Sequence, residues 1–127
     1  MVKEFTANEL KYLIETLFQN WEEFRKDLRL NGKSTYNLIA IKKEFERQAQ
    51  ILQETIFAIG TELGGHPDDH GNFKVPNDKV EEMNNRLMEF GNQKIEISYN
   101  PIVIKDSDFM SPGLMDLMFP FIEYDEH

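Results

Sequence analysis

From Ser34 to Leu63 the chain runs for thirty residues without a proline, and its one glycine, Gly60, lies a turn from the end. Within it Leu38, Ile41, Phe45, Leu52, Ile56, Ile59 and Leu63 recur at spacings of three, four and seven. Side chains with that period share one face of an α-helix, so the stretch is predicted to be a single amphipathic helix. At 1.5 Å per residue it would run about 45 Å, and every other segment is short enough to pack against it. Its charges gather in the first half, at Lys42, Lys43, Glu44, Glu46 and Arg47, and mark the solvent side there. Gln48 and Thr55 stand where a strict heptad wants apolar groups, which argues against a pure coiled coil.

The segment before this helix carries a complete helix start. Thr6 can cap, Glu9 can close the capping box, and Phe5 and Leu10 occupy the two staple positions. Leu10, Leu13, Ile14, Leu17, Phe18, Trp21, Phe24 and Leu28 then follow on one face, predicting a helix over Ala7–Leu30. Asn31-Gly32 reads as its left-handed stop, with Ser34 or Thr35 capping the next helix. So short a connection makes the two helices antiparallel neighbours.

Gly60, Gly64 and Gly65 are expected to end the second helix, and 64–75 reads as a polar loop with His66, Pro67, Asp68, Asp69, His70, Gly71 and Asn72. Pro76 or Asn77 opens a third helix over 76–91, with Val80, Met83, Leu87 and Phe90 inward and Gly91 as its stop. Lys94-Ile95-Glu96-Ile97-Ser98-Tyr99 alternates like a half-buried strand, Asn100-Pro101 breaks it, and Ile102-Val103-Ile104 is a second β-like run. The two either pair as a hairpin or lie extended along the helices. The segment 109–122 begins its helix at Ser111-Pro112 and is stopped by Pro120. The expected fold is therefore mainly α, one helical domain: an antiparallel helical hairpin (1–63), a third helix, a small β element (94–104) and a short C-terminal helix.

Charge and composition exclude several functions. The 127 residues hold 14 Lys and Arg against 23 Asp and Glu, a formal charge of −9. Such a chain has no electrostatic reason to bind nucleic acid or an anionic membrane, and it favours basic protein partners or cations. There is no cysteine, so disulfides and thiolate chemistry are absent. No apolar run approaches the roughly 18 residues of a membrane span, and Met1–Phe5 lacks the apolar core of a secretion signal.

Candidate chemistry is sparse. His66, Asp68, Asp69 and His70 are the only residues with the density of a metal site, but their spacing fits neither a closed zinc site nor a calcium loop. Carboxylate pairs such as Glu22/Glu23, Glu81/Glu82 and Asp106/Asp108 need a pocket before they can do acid–base work. Gly32-Lys33-Ser34 resembles the end of a phosphate loop but has Asp27 where the first glycine belongs. No catalytic residue and no cofactor is expected. Phe109, Met110, Leu114, Met115, Met118, Phe119 and Phe121 are the candidate binding residues, because methionine and aromatic side chains suit adaptable protein contacts. The competing expectation is that they fold back and complete the core.

In four places the sequence resembles a family of small tailed-bacteriophage and prophage proteins. These are a short helical segment feeding the charged helix Ser34–Leu63, then Asp69-His70-Gly71-Asn72-Phe73-Lys74-Val75-Pro76 before Glu81-Glu82-Met83-Asn84, then Ile95-Glu96-Ile97 with Pro101-Ile102, and last Ser111-Pro112 running to Pro120-Phe121-Ile122-Glu123. His66, Pro67 and His70 depart from the acidic turn residues expected there. The resemblance implies a viral origin, with the protein in host cytoplasm or virion, and no activity or cofactor. The expectation is a non-enzymatic protein that contacts another protein or itself, in virion assembly or on a host factor, through an exposed part of the central helix or the C-terminal segment. The alternatives are an acidic mimic of nucleic acid that occupies a basic host protein, and a metal-dependent enzyme built on the 66–70 loop.

Overall fold

The computed structural model describes residues 1–70 and 73–124, so Gly71, Asn72 and the polar end Asp125-Glu126-His127 lie outside the described residues. In chain order the elements are β1 (Val2–Thr6), α1 (Ala7–Gln19), α2 (Trp21–Lys26), α3 (Gly32–Glu62), β2 (His66–Pro67), β3 (Phe73–Lys74), α4 (Val80–Gly91), β4 (Lys94–Ser98), β5 (Ile102–Ile104), α5 (Pro112–Met118) and β6 (Ile122–Tyr124). The fold is mainly helical, with three small strand pairs and a short C-terminal helix.

The central helix forms as its periodicity predicts. It is 31 residues long, about 46 Å. Leu38, Ile41, Phe45, Leu52 and Ile59 are buried along it, with Leu63 just beyond, while Ile56 is half-buried. Its start differs from expectation. Asn31-Gly32 does not stop the preceding helix. Asn31 instead caps α3, its Oδ1 accepting from the Ser34 N–H at 3.0 Å, and Gly32 is the first helical residue. The reason is tertiary: Asp108 accepts from the Asn31 N–H at 2.8 Å and from its Nδ2 at 2.7 Å, fixing the cap from far away in sequence. At the other end, Gly60 is inside the helix, and the left-handed residue is Gly64 at φ 81°.

The capping box at the start of α1 is present, with Thr6 and Glu9 exchanging hydrogen bonds. The helix predicted to reach Leu30 breaks at Asn20. There the side-chain Nδ2 and the backbone N–H both donate to the Thr16 carbonyl, so the side chain competes with the helical ladder. α2 follows, and Arg29 leaves the helix altogether to bridge Phe109, with N···O distances of 2.8 and 2.6 Å.

The β segments find partners that neither expected arrangement named. β4 pairs antiparallel with β1, Phe5 opposite Ile95 and Lys3 opposite Ile97. β5 pairs parallel with β6, Ile102 opposite Ile122. Val2–Thr6 was expected only as the lead-in to a helix. It becomes a strand because Phe5 and Ile97 can then be buried together. The loop holds a two-residue ribbon, β2 with β3. A single 3₁₀ turn, Asn77–Lys79, precedes α4, which therefore begins at Val80 instead of Pro76. Val80 faces solvent, and Met83, Leu87 and Phe90 are half-buried against the rest.

One core joins these pieces. It contains Phe5, Leu10, Ile14 and Leu17 from the beginning of the chain, Leu38, Ile41, Phe45 and Leu52 from α3, and Ile97, Tyr99 and Ile102 from the middle. Met110, Leu114, Leu117, Met118 and Phe121 complete it. The Phe121 ring lies at its meeting point, with ring centroids 5.7 Å from Phe5, 5.6 Å from Phe45 and 4.8 Å from Tyr99.

Candidate functional site

The C-terminal segment is divided by its helix. Ser111 caps α5 by accepting from the Leu114 N–H, and Pro112 sits in the first turn, where its missing N–H costs nothing. That start fixes which side chains turn inward. Met110, Leu114, Met118 and Phe121, four of the candidate binding residues, are all buried in this chain's own core, where the competing expectation put them. Their shape and apolarity serve folding, and a contact surface is left to the outward ones. Phe119 is 67 % exposed and Phe109 51 % exposed, and Met115 is half-buried. Tyr124, which the sequence reading missed, is also exposed and donates its hydroxyl to the Met115 sulfur at 3.6 Å. A strand at that position was needed to place it, and the apolar run breaks off at Ile122.

The loop candidates are not gathered into a site. His66 lies on β2 and Pro67 opposite Phe73, which spreads the side chains along a ribbon. Asp68 Oδ1 accepts from the His70 N–H at 2.9 Å, and its Oδ2 stands 3.9 Å from Lys74 Nζ. His66, Asp69 and His70 are exposed. Among the described residues no group of three or more His, Cys, Asp or Glu is placed to hold a metal ion.

Four charges of the first half of α3, Lys42, Glu44, Glu46 and Arg47, are paired with one another. Lys42 Nζ contacts Glu46 at 2.7 Å and lies 5.1 Å from the Trp21 ring and 5.7 Å from that of Phe18. Arg47 holds Glu44 at 2.6 Å, and Gln48, buried on the same side, also donates to Glu44. The Arg47 hydrogen bond keeps the Glu44 carboxyl below the usual range against the opposing effect of burial, and Lys42 does the same for Glu46. The second half of α3 differs. Ile51 and Phe57 are exposed there, and an open apolar groove of about 300 Å³ runs beside it, with Ile14, Ala49, Leu52 and Ile56 on its floor.

Comparison with protein families, with curated proteins and with solved structures finds no match to this chain. Among the described residues no helix is long and apolar enough to cross a membrane.

Proposed function

We propose that this is a non-enzymatic protein of the tailed-phage type that its sequence resembles, acting by protein–protein contact in virion assembly or on a host factor. The observation that carries the reading is the two-sidedness of the C-terminal segment: Leu114, Met118 and Phe121 anchor it, while Phe109 and Phe119 stand outside. Large aromatic side chains held on a well-anchored segment are the kind that carry binding energy at interfaces. We read the scaffold beneath as an antiparallel helical hairpin. That reading is supported by Lys11 and Ile14 of α1 sharing a groove with Leu52 and Ile56 of α3, while Phe18 and Trp21, further along, meet Lys42.

The reading as an acidic nucleic-acid mimic draws less support. It needs an uninterrupted carboxylate face, and on α3 Lys42 and Arg47 neutralise Glu46 and Glu44. The metal-enzyme reading would need a ligand cluster that the 66–70 loop does not assemble among its described residues.

The test compares Phe119→Asp with Leu114→Asp in affinity capture from infected or lysogenic cells, with helical circular dichroism as control. Phe119→Asp is expected to keep the wild-type spectrum and lose the captured partner, whereas Leu114→Asp loses the fold. A Phe119→Asp protein that captures the same partner at the same level would overturn the reading.

A further inference from the structure

We propose that Asn31 is a self-modification site: attack by the neighbouring Gly32 nitrogen converts its side-chain amide to a carboxylate, and the conversion irreversibly releases the latch that ties the start of α3 to the turn before α5. Asn31-Gly32 is the chain's one Asn-Gly pair. The reaction needs a backbone nitrogen that can reach the side-chain carbonyl of the residue before it. Glycine, with no Cβ, shields that nitrogen least and lets the backbone turn most freely. The fold gives this glycine no other duty. A Cβ at position 32 would meet nothing within 4 Å, and the backbone there is not left-handed. Glycine also disfavours the helix that it opens. Gly32 is exposed, and as the first helical residue its N–H has no partner within the helix.

The chemistry needs only water. The Gly32 nitrogen attacks the Asn31 side-chain carbonyl carbon, and a C–N bond forms. The bond to Nδ2 breaks, and Nδ2 leaves as ammonia with the proton that the Gly32 N–H gives up. Water then opens the cyclic imide at either of its carbonyls, which yields aspartate or isoaspartate. One water is consumed, one ammonia is released, and nothing is oxidised or reduced.

In the folded chain the amide is held at both ends. Oδ1 accepts from the Ser34 N–H at 3.0 Å, and Nδ2 donates to the Asp108 carboxylate at 2.7 Å and to the Val103 carbonyl at 3.2 Å. Ring closure has to turn the amide towards Gly32 and free Nδ2, so these bonds break first and the reaction runs through a local opening of the latch. The product cannot close it again. Aspartate ordinarily caps a helix as well as asparagine does. Here its carboxylate has no N–H to give to Asp108 or Val103, and it sets one negative charge against another where the 2.7 Å hydrogen bond was. The isoaspartate form also lengthens the main chain by one carbon ahead of α3. The Arg29–Phe109 bridge belongs to the same seam and loosens with it. None of this requires the C-terminal contact surface proposed above.

The experiment incubates the full chain in warm, mildly alkaline buffer and follows every asparagine by peptide mapping, with aspartate and isoaspartate resolved, in the wild type, Asp108→Ala and Gly32→Ala. Gly32→Ala keeps the fold, since its Cβ enters open space, and should suppress conversion at residue 31. In Asp108→Ala, residue 31 is expected to convert before any other asparagine and about tenfold or more faster than in the wild type, because a charge-assisted hydrogen bond no longer holds the amide. An unchanged rate at residue 31 overturns the proposal, as does a rise shared by all the asparagines, which would mean that Asp108 guards the whole fold and not this amide. Asn31→Asp reads the consequence. Its urea midpoint should fall, and adding Asp108→Asn should recover part of the fall, because a carboxylate then faces an amide again. A wild-type midpoint in Asn31→Asp would show that the latch survives the conversion, and overturns the proposal.

Discussion

Ser34 makes two hydrogen bonds that a helical serine does not normally make. Its Oγ donates to the Val103 carbonyl at 2.6 Å and accepts from the Val103 N–H at 3.1 Å, so one buried hydroxyl takes the place of a neighbouring strand for β5. In Ser34→Ala the Val103 carbonyl keeps the Asn31 Nδ2 donor at 3.2 Å, while the Val103 N–H loses its side-chain partner, at about 1–3 kcal/mol for that one group. Urea denaturation should therefore show a loss of about 1–3 kcal/mol, and a loss within experimental error would mean that the contact contributes little. Asp108 acts beside it. Burial pushes its carboxyl up, but hydrogen bonds from the Lys105 N–H, the Asn31 amide side chain and the Asn31 N–H together outweigh that and hold it below the usual range. A carboxylate with a lowered folded pKa stabilises the native state above its unfolded value, about 3.9, and that contribution is lost as pH falls through the folded pKa. Stability should thus be level above about pH 5 and decline below about pH 4. In Asp108→Asn the decline should be shallower, the remainder coming from Glu44 and Glu46. An identical acid limb in the variant would contradict this account of the cap. Neither residue's role was legible in the sequence, because both depend on segments about seventy positions away.

The elements that could be read from the sequence are those whose causes are local. The capping box Thr6/Glu9, the Ser111-Pro112 start and the long period of α3 need only neighbours within a turn or two. The elements that could not be read depend on partners. Whether Val2–Thr6 extends as a strand is decided by β4, and whether Asn31-Gly32 ends a helix or begins one is decided by Asp108. Gly60 is a third case. As a glycine it reads as part of the helix end, yet it lies inside α3, where a Cβ would collide with the Phe73 ring, as would one at Gly65. The ribbon β2–β3 therefore docks on α3 by laying Phe73 over two glycines and against Phe57. Alanine is ordinarily favoured over glycine within a helix by about 1 kcal/mol. Gly60→Ala should nevertheless destabilise, or displace the ribbon, whereas Gly60→Ala combined with Phe73→Ala should recover the helical gain. Thermal melts of the single and double variants measure this, and a stabilising Gly60→Ala single variant would show that the ring does not sit there.

At the scale of the whole molecule, Phe121 is the residue on which the two ends of the chain converge. Phe5 stacks on it from β1, Phe45 meets it from α3, and Tyr99 packs on its edge while donating its hydroxyl to the Pro120 carbonyl at 3.2 Å. The sequence reading marked 109–122 as either core or contact surface and could not divide it, since hydrophobicity alone does not say which face of a short helix turns inward. The cap at Ser111 and the pairing of β6 with β5 make that division. The same long-range closure makes the molecule's stability depend on its last described strand. The most direct test is cooperative unfolding in urea, followed by near-ultraviolet circular dichroism, of the full chain and of a chain ending at Lys105. The full chain should unfold in one sharp transition. The shortened chain should keep part of its helical signal but lose the near-ultraviolet signal and the sharp transition, because Phe5, Phe45 and Tyr99 no longer have Phe121 to close on. A shortened chain that unfolds as cooperatively as the full one would contradict the placement of this segment in the core.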